Sequence, residues 1–145
     1  MSMVEARTVR TLVAVAGFLV QEFVEVPHLP SPMAAWKPFI LASATPLMRI
    51  SYDDADHDDQ LDRAWWDLSS HSGTLDSAGT VLLSVEGAGG LPWLQAQVSR
   101  KPPRASAIGL PGHDIGFVAL SVDGEASIRV TSEEWETWIF SNPPP

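Results

Sequence analysis

The chain has 145 residues, of which 45% are hydrophobic and 19% charged, a composition typical of one folded domain and not of a disordered chain. Cysteine is absent, so disulfides, thiol catalysis and cysteine-ligated zinc are excluded. The formal net charge of −9 argues against nucleic-acid binding, which needs clustered lysine and arginine to neutralise phosphates.

The first predicted element is a helix over residues 3–16, because apolar residues such as Val9 and Val13 recur at helical spacing. For residues 18–26 two interpretations stay open. The helix could continue through them, or a strand could begin after Gly17, since the valines of this segment favour strands.

The apolar run from Leu12 to Val20 is nine residues long, far short of the roughly 20 residues that span a bilayer. No small-residue cleavage site follows the run, as a secretory signal peptide would require. We therefore expect a buried element, no membrane contact and, since cysteine is absent, a cytoplasmic location.

Residues 27–46 hold five prolines, which predict an ordered loop and exclude a long helix or a central strand. A short alternating strand is predicted next, over Leu47–Tyr52. A helix is predicted from about Asp58, because Leu61 and Trp65 start an apolar stripe at helical spacing.

The second half of the chain predicts a strand over Thr80–Glu86, a glycine-rich turn, and a short helix from Pro92 to Val98. Residues 99–114 form a second loop rich in proline and glycine. Because no internal repeat and no long linker divides the sequence, residues 1–145 are expected to form a single domain.

A β-hairpin is predicted over Ile115–Thr131, with its turn at Asp123-Gly124. A two-residue loop would set Val118 opposite Arg129 and mix the faces, whereas a three-residue loop keeps the apolar residues together. We therefore predict the three-residue loop, with Gly124 left-handed in a bulge and Arg129 on the outer surface. The residues expected on the core face are Val118, Leu120, Val122, Ala126, Ile128 and Val130.

The run Thr131-Ser132-Glu133-Glu134 matches a capping box and predicts a short C-terminal helix in which Trp135, Trp138 and Ile139 share one face. The predicted fold is therefore α+β. It has a mainly antiparallel sheet of about four or five strands, with an N-terminal, a middle and a short C-terminal helix.

One acidic stretch, Tyr52–Asp67, carries seven aspartates and one arginine, so it holds −6 of the total charge of −9. Such a concentration of charge either meets a cationic partner or only solvates one face, and both interpretations stay open. If Trp65 points to the core, Trp66 lies about 100° further around the helix and either anchors a partner or packs beneath the proline-rich loop. The candidate partner-binding residues are Asp53, Asp54, Asp56, Asp58, Asp59, Asp62 and Trp66.

No complete catalytic, cofactor or metal motif is present. Three aspartates match the first positions of a calcium loop, but Asp59 and Trp65 stand where a glycine and a bidentate glutamate are needed. There is no Gly-x-Ser-x-Gly sequence, and Gly87–Gly90 lacks the spacing of a nucleotide-binding loop. We therefore expect no catalytic residue, no cofactor and no metal.

These observations favour a small acidic protein-binding module of the immunity or inhibitor type, which neutralises a basic partner protein such as a nuclease toxin. The alternative is a structural or assembly subunit of a multiprotein particle, whose neighbours would order the proline-rich loops. A second alternative is a small hydrolase or metal-dependent enzyme that uses the aspartates and histidines. Our expectation is that the protein is not an enzyme, and the sequence does not fix its oligomeric state.

Overall fold

The computed structural model describes residues 3–40, 45–88, 90–110 and 114–142. These residues form three α-helices and seven strands, so the fold class is α+β, with more strands than the sequence predicted. In chain order the elements are α1 (Met3–Val15), β1 (Leu19–Val24), α2 (Pro32–Ile40), β2 (Met48–Ser51), α3 (His57–His71), β3 (Thr80–Val85), β4 (Trp93–Gln97), a 3₁₀ turn (Ala105–Ala107), β5 (Gly116–Leu120), β6 (Ser127–Ser132) and β7 (Glu136–Asn142).

The seven strands form one antiparallel sheet in the order β1-β4-β3-β5-β6-β7-β2, so β1 and β2 are its edges. The pairing of β2 with β7 sets Ser51 opposite Glu136. It therefore brings the start of the acidic stretch beside the turn between β6 and β7. Within the described ranges, no helix is both long and apolar enough to cross a bilayer.

Helices α1 and α3 pack on one face of the sheet and α2 packs on the other. In the main core, the ring of the fully buried Trp65 contacts Phe18 and Phe117, with centroid distances of 5.7 and 6.0 Å. A smaller core under α2 contains Leu82 and Trp93. Because both faces are covered, all five residues of β5 are buried.

Four predicted elements are confirmed as α1, β2, α3 and β3. Residues 18–26, whose structure was left open, contain the strand β1. Helix α1 ends before Gly17, whose φ of +108° is the left-handed conformation that glycine adopts without strain. The Gly17 N–H donates to the carbonyl oxygen of Ala14 at 3.0 Å, which closes the helix and releases the chain into β1.

The proline-rich segment contains the nine-residue helix α2, where a loop was predicted. Pro32 stands at its first position, where the N–H that proline lacks would have had no partner in the helix. Ser31 caps the helix, because its Oγ accepts the Ala34 N–H at 3.2 Å. A serine followed by proline was thus a helix-start signal inside a segment that otherwise suggested a loop.

Both predicted short helices of the second half are wrong, because the segments form the strands β4 and β7. In β7 the β-branched and aromatic residues of Glu136–Asn142 outweigh the capping-box pattern. The Thr131 hydroxyl does donate to the Glu133 carboxylate at 2.8 Å, but no helix follows. Instead the Glu133 N–H donates to the Glu136 carbonyl at 2.8 Å and closes a tight turn.

The predicted hairpin is present as β5 and β6, but the predicted register is wrong. Val118 lies opposite Arg129, which is the register of a two-residue loop and not that of the predicted three-residue loop. Val118 and Leu120 belong to the core under α2, whereas Ile128 and Val130 belong to the core under α1 and α3. Because the sheet is covered on both faces, the apolar pattern does not select one register.

The turn of this hairpin agrees in part with its prediction. The Gly124 N–H donates to the Ser121 carbonyl at 2.9 Å, and Gly124 has the predicted left-handed conformation with a φ of +77°. The Ser121 N–H donates to the Ala126 carbonyl at 2.8 Å, so the loop inside that pair has an even number of residues. The predicted odd loop is therefore excluded.

Candidate functional site

The first half of the acidic stretch is held against the turn between β6 and β7. The Tyr52 N–H donates to the Trp135 carbonyl at 3.2 Å, and the Tyr52 hydroxyl donates to the Glu133 carbonyl at 2.7 Å. Tyr52–Asp59 and Glu133–Trp135 therefore lie side by side. We call the exposed residues of these two segments the acidic face.

His57 fixes the acidic face to the sheet. Its Nε2 lies 2.7 Å from the Thr137 Oγ1 on β7, and its Nδ1 lies 2.8 Å from an Asp58 carboxylate oxygen. This order of carboxylate, imidazole and hydroxyl resembles a nucleophilic triad, but Thr137 is fully buried and cannot reach a substrate. The arrangement therefore anchors the first turn of α3 to β7.

Five of the seven predicted partner-binding residues are exposed on the acidic face. None of the five forms an ion pair with a lysine or arginine in the part of the chain that the structure describes. The side-chain amide of Gln60 donates to Asp56 at 2.7 Å and to Asp54 at 3.4 Å, which orders the two carboxylates without neutralising them. The five residues are Asp53, Asp54, Asp56, Asp58 and Asp59.

Asp62 and Trp66 lie elsewhere. The Asp62 carboxylate accepts the Ser106 N–H at 2.8 Å and the Arg104 Nε at 3.2 Å, and only 17% of its side chain is exposed. It therefore joins α3 to the 3₁₀ turn. Trp66 is half-buried and packs against the main core under α1 and α3, not beneath the proline-rich segment, whose helix α2 lies on the other face of the sheet.

Sequence reasoning missed the aromatic residues of the acidic face. Trp135 is 75% exposed at the tip of the β6–β7 turn, and Tyr52 is 42% exposed beside it. Large aromatic side chains at such exposure are unusual and commonly belong to contacts with other molecules. The alternation of Thr137, Ile139 and their neighbours was the signal that could have placed Trp135 in a turn rather than on a buried helix face.

Depressions of the described surface include one on the acidic face and one at the proline-rich segment. The one on the acidic face has a volume of about 270 Å³ and is lined by Tyr52 and by residues 55–59. The larger, of about 540 Å³, lies between the segments 24–33 and 90–93, and Glu25 is its one charged lining residue. Among the described residues, no three carboxylate or imidazole groups come close enough together to hold a metal ion, and the expected absence of a tight metal site stays a prediction.

Comparisons with protein-family models, with curated proteins and with solved structures find no match to this chain. The molecule is an antiparallel sheet covered on both faces, and its β2 edge carries exposed aromatic rings and carboxylates that form no ion pair with a lysine or arginine in the described residues.

Proposed function

We propose that this protein is a protein-binding module of the immunity or inhibitor type, which binds a basic partner protein through the acidic face. The observation that carries the proposal is the exposure of five aspartates that form no ion pair with a lysine or arginine in the described residues, on a segment that a backbone hydrogen bond from Tyr52 holds against the exposed Trp135. The same uncompensated charge that costs stability in the free protein becomes favourable against a cationic surface.

Electrostatic attraction would act first. Exposed charges of one sign raise the rate at which an oppositely charged protein meets this face, and they orient it during approach. The contribution is long-ranged at low salt and is screened over about 10 Å at 0.1 M salt. The acidic face therefore supports fast association more than it supports tight binding.

The aromatic rings would supply the affinity. Trp135 and Tyr52 offer apolar area with few rotatable bonds, and the surrounding carboxylates can accept charge-assisted hydrogen bonds from arginine or lysine. An arginine of the partner could stack on the Trp135 indole while it bonds a neighbouring aspartate. Tryptophan is among the residues most often found at the energetic centre of protein interfaces.

The acidic face is also ordered before a partner arrives. Tyr52 and His57 each donate or accept a hydrogen bond that ties the face to the β6–β7 hairpin. Asp58 and Asp59 lie in the first turn of α3, where the helix dipole favours negative charge. Such preorganisation lowers the entropy that binding costs.

The test is a kinetic comparison on the partner recovered from the native host. A four-site variant carries the changes Asp53→Asn, Asp54→Asn, Asp56→Asn and Asp59→Asn. Its association rate at low salt should fall about tenfold or more, and its rate should depend less on salt than that of the natural protein. In a separate variant, Trp135→Ala should mainly speed dissociation, at a cost in binding of about 2 kcal/mol.

The control removes the same number of negative charges away from the acidic face, with the exposed changes Glu22→Gln, Glu25→Gln, Asp67→Asn and Glu125→Gln. Its association rate should stay close to that of the natural protein, because steering depends on where charge lies. Equal rates for both charge variants would contradict the proposal. A complex that salt does not weaken would instead favour the alternative of a structural or assembly subunit.

A further inference from the structure

The two edges of the sheet differ in how open their backbone is. At β1 the ladder is irregular between Val20 and Phe23, and the Arg10 side chain donates to the Gln21 carbonyl at 3.0 Å. A bulge and a covering side chain are two common ways to block an edge strand. Within the described residues, the pairing of β2 with β7 is regular over Met48–Ser51, and no side chain bonds the outward backbone groups of β2. One irregular bond lies just before the strand, where the Leu47 N–H donates at 2.7 Å to the carbonyl of Ile139, the residue paired with Met48.

The pairing of β2 with β7 shows which groups remain open. In an antiparallel pair, every second residue directs its backbone N–H and carbonyl toward the partner strand. The Tyr52 N–H donates to the Trp135 carbonyl, so Ile50 and Met48, two and four residues earlier, also direct their backbone groups toward β7. The backbone groups of Arg49 and Ser51 therefore point outward. The Ser51 carbonyl accepts the Asp54 N–H at 3.2 Å, which leaves the Arg49 N–H and carbonyl and the Ser51 N–H without partners in the described residues.

The Arg49 side chain does not obstruct this edge. Its guanidinium carbon lies 4.9 Å from the centre of the Trp138 ring, and an Nη atom lies 3.8 Å from a Glu136 carboxylate oxygen. Both contacts are on the face of the sheet, one strand in from the edge. Leu47 and Met48, next to the open groups, are 44% and 41% exposed.

We propose that β2 receives an extended, basic segment of the partner as an eighth strand of the sheet. This inference rests on the proposed function, and it specifies the form in which the partner binds. The edge ends at the turn that carries Asp53 and Asp54, so a lysine or arginine that continues past Ser51 meets carboxylates. Backbone pairing supplies affinity in this mode, and the charges select a basic segment.

The experiment uses a short peptide of alternating lysine and valine as the probe, and follows amide hydrogen exchange residue by residue. Saturation with the peptide should slow exchange of the Arg49 and Ser51 amides about tenfold or more, because both become hydrogen-bonded. A peptide of the same sequence with every backbone amide N-methylated keeps the charge, but it loses its donors and its methyl groups prevent the close approach that strand pairing needs. It should not slow exchange at these two amides.

A pair of variants tests the edge from the side of this protein. Arg49→Pro removes an outward N–H without breaking a bond to β7, and proline is tolerated at such edge positions. Arg49→Val removes the same side chain and keeps the N–H. The proline variant should bind the peptide about tenfold more weakly than the valine variant. Urea melts establish whether both variants are folded. If the proline variant is unfolded, the comparison with the N-methylated peptide tests the strand pairing without it.

The outcomes separate this inference from the proposed function. Salt-sensitive peptide binding that leaves exchange at Arg49 and Ser51 unchanged would overturn the strand pairing and leave the acidic face in place as a binding surface. Absence of peptide binding would also overturn the strand pairing. The kinetic comparison of the two charge variants on the natural partner would then decide whether the acidic face is a binding surface.

Discussion

Arg129 lies in the middle of β6 with 9% of its surface exposed, and its guanidinium packs between two aromatic rings. The distances from its central carbon to the ring centres are 4.7 Å for Trp36 and 5.8 Å for Phe140. In the part of the chain that the structure describes, its Nε has no hydrogen-bond partner. Burial lowers the pKa of Arg129, and the nearby carboxylates of Glu86 and Glu133 partly offset that effect.

Two substitutions at Arg129 separate its charge from its packing. Arg129→Met keeps most of the buried chain and should change the free energy of unfolding by less than about 1 kcal/mol, because the cost of taking the charge out of water offsets most of what its ring and carboxylate interactions contribute. Arg129→Ala should cost about 2–3 kcal/mol, because it empties the space between the rings. Urea unfolding measures both. Equal losses in the two variants would show that the charge itself stabilises the fold.

The predicted register had placed Arg129 on the outer surface, where such a change costs well under about 1 kcal/mol. The physical reason for the difference is the helix α2, which covers the side of the sheet that Arg129 occupies. An arginine can lie between aromatic rings because its guanidinium is planar and weakly hydrated. Sequence alone gives no sign of that environment, since Trp36 and Phe140 are distant in the chain.

At the scale of elements, the β5–β6 turn depends on one carboxylate. Asp123 accepts the Ser121 hydroxyl hydrogen at 2.6 Å and the Glu125 N–H at 3.0 Å. These bonds, with that from Ser121 the larger cause, lower the pKa of Asp123 below its ordinary value. The ionised form of Asp123 is therefore the one that holds the turn.

This pKa shift fixes the sign of a pH dependence. A carboxylate with a lowered pKa in the folded state stabilises the protein above its unfolded-state pKa, and that contribution is lost as the pH falls through the folded-state pKa. Acidification from neutral pH to below about pH 4 should thus destabilise the natural protein more than Asp123→Asn. The measurement is the urea midpoint against pH. Parallel profiles for the two proteins would contradict the assignment.

The elements that the sequence predicted are those whose pattern is local. Helices α1 and α3 have apolar residues at helical spacing along one stripe, and this spacing survives in the structure. Strand β4 was missed because a short, largely buried strand flanked by turn residues carries no clear period that distinguishes it from a short helix. Strand β7 was missed because the capping-box pattern at Thr131 was given more weight than the alternation of Thr137 and Ile139. The hairpin register failed for a related reason, since both faces of β5 are apolar.

In the candidate site too, features that depend on neighbouring residues in the sequence were predicted, and features that depend on distant residues were not. The exposure of Asp53 and Asp54 follows from local charge density, because carboxylates this close together are best solvated at the surface. The role of Asp62 does not follow from it, since its partner Arg104 is 42 residues away. The position of Trp135 beside Tyr52 likewise depends on the pairing of β2 with β7, which no local pattern encodes.

At the scale of the whole molecule, the negative charge is concentrated on carboxylates that pair with no lysine or arginine among the residues that the structure describes. Two arginines form ion pairs with carboxylates that are not among the five exposed aspartates of the acidic face. Arg104 pairs with Asp62, and Arg49 pairs with Glu136. The carboxylates of Asp53 and Asp54 therefore repel one another and their neighbours across solvent. Such self-repulsion destabilises a compact state, and dissolved salt reduces it. A binding surface of this kind therefore lowers the stability of the free protein.

This balance predicts opposite effects for two charge-matched double variants. Asp53→Asn with Asp54→Asn removes repulsion outside any helix, and should raise the free energy of unfolding at low salt by about 0.5 kcal/mol. Asp58→Asn with Asp59→Asn removes the same charge from the first turn of α3, and should lower it by about 1 kcal/mol. In that turn the carboxylates favour the helix dipole, and Asp58 also contacts His57.

Salt distinguishes the two causes in the same urea melts. At about 1 M sodium chloride, where charges are screened within about 3 Å, the gain from the first double variant should vanish. Part of the loss from the second should persist, because the contact of Asp58 with His57 is short and partly buried. Two double variants that shift stability in the same direction would mean that net charge alone sets stability. The location of the charge, on which the proposed function depends, would then have no measurable effect on the folded state.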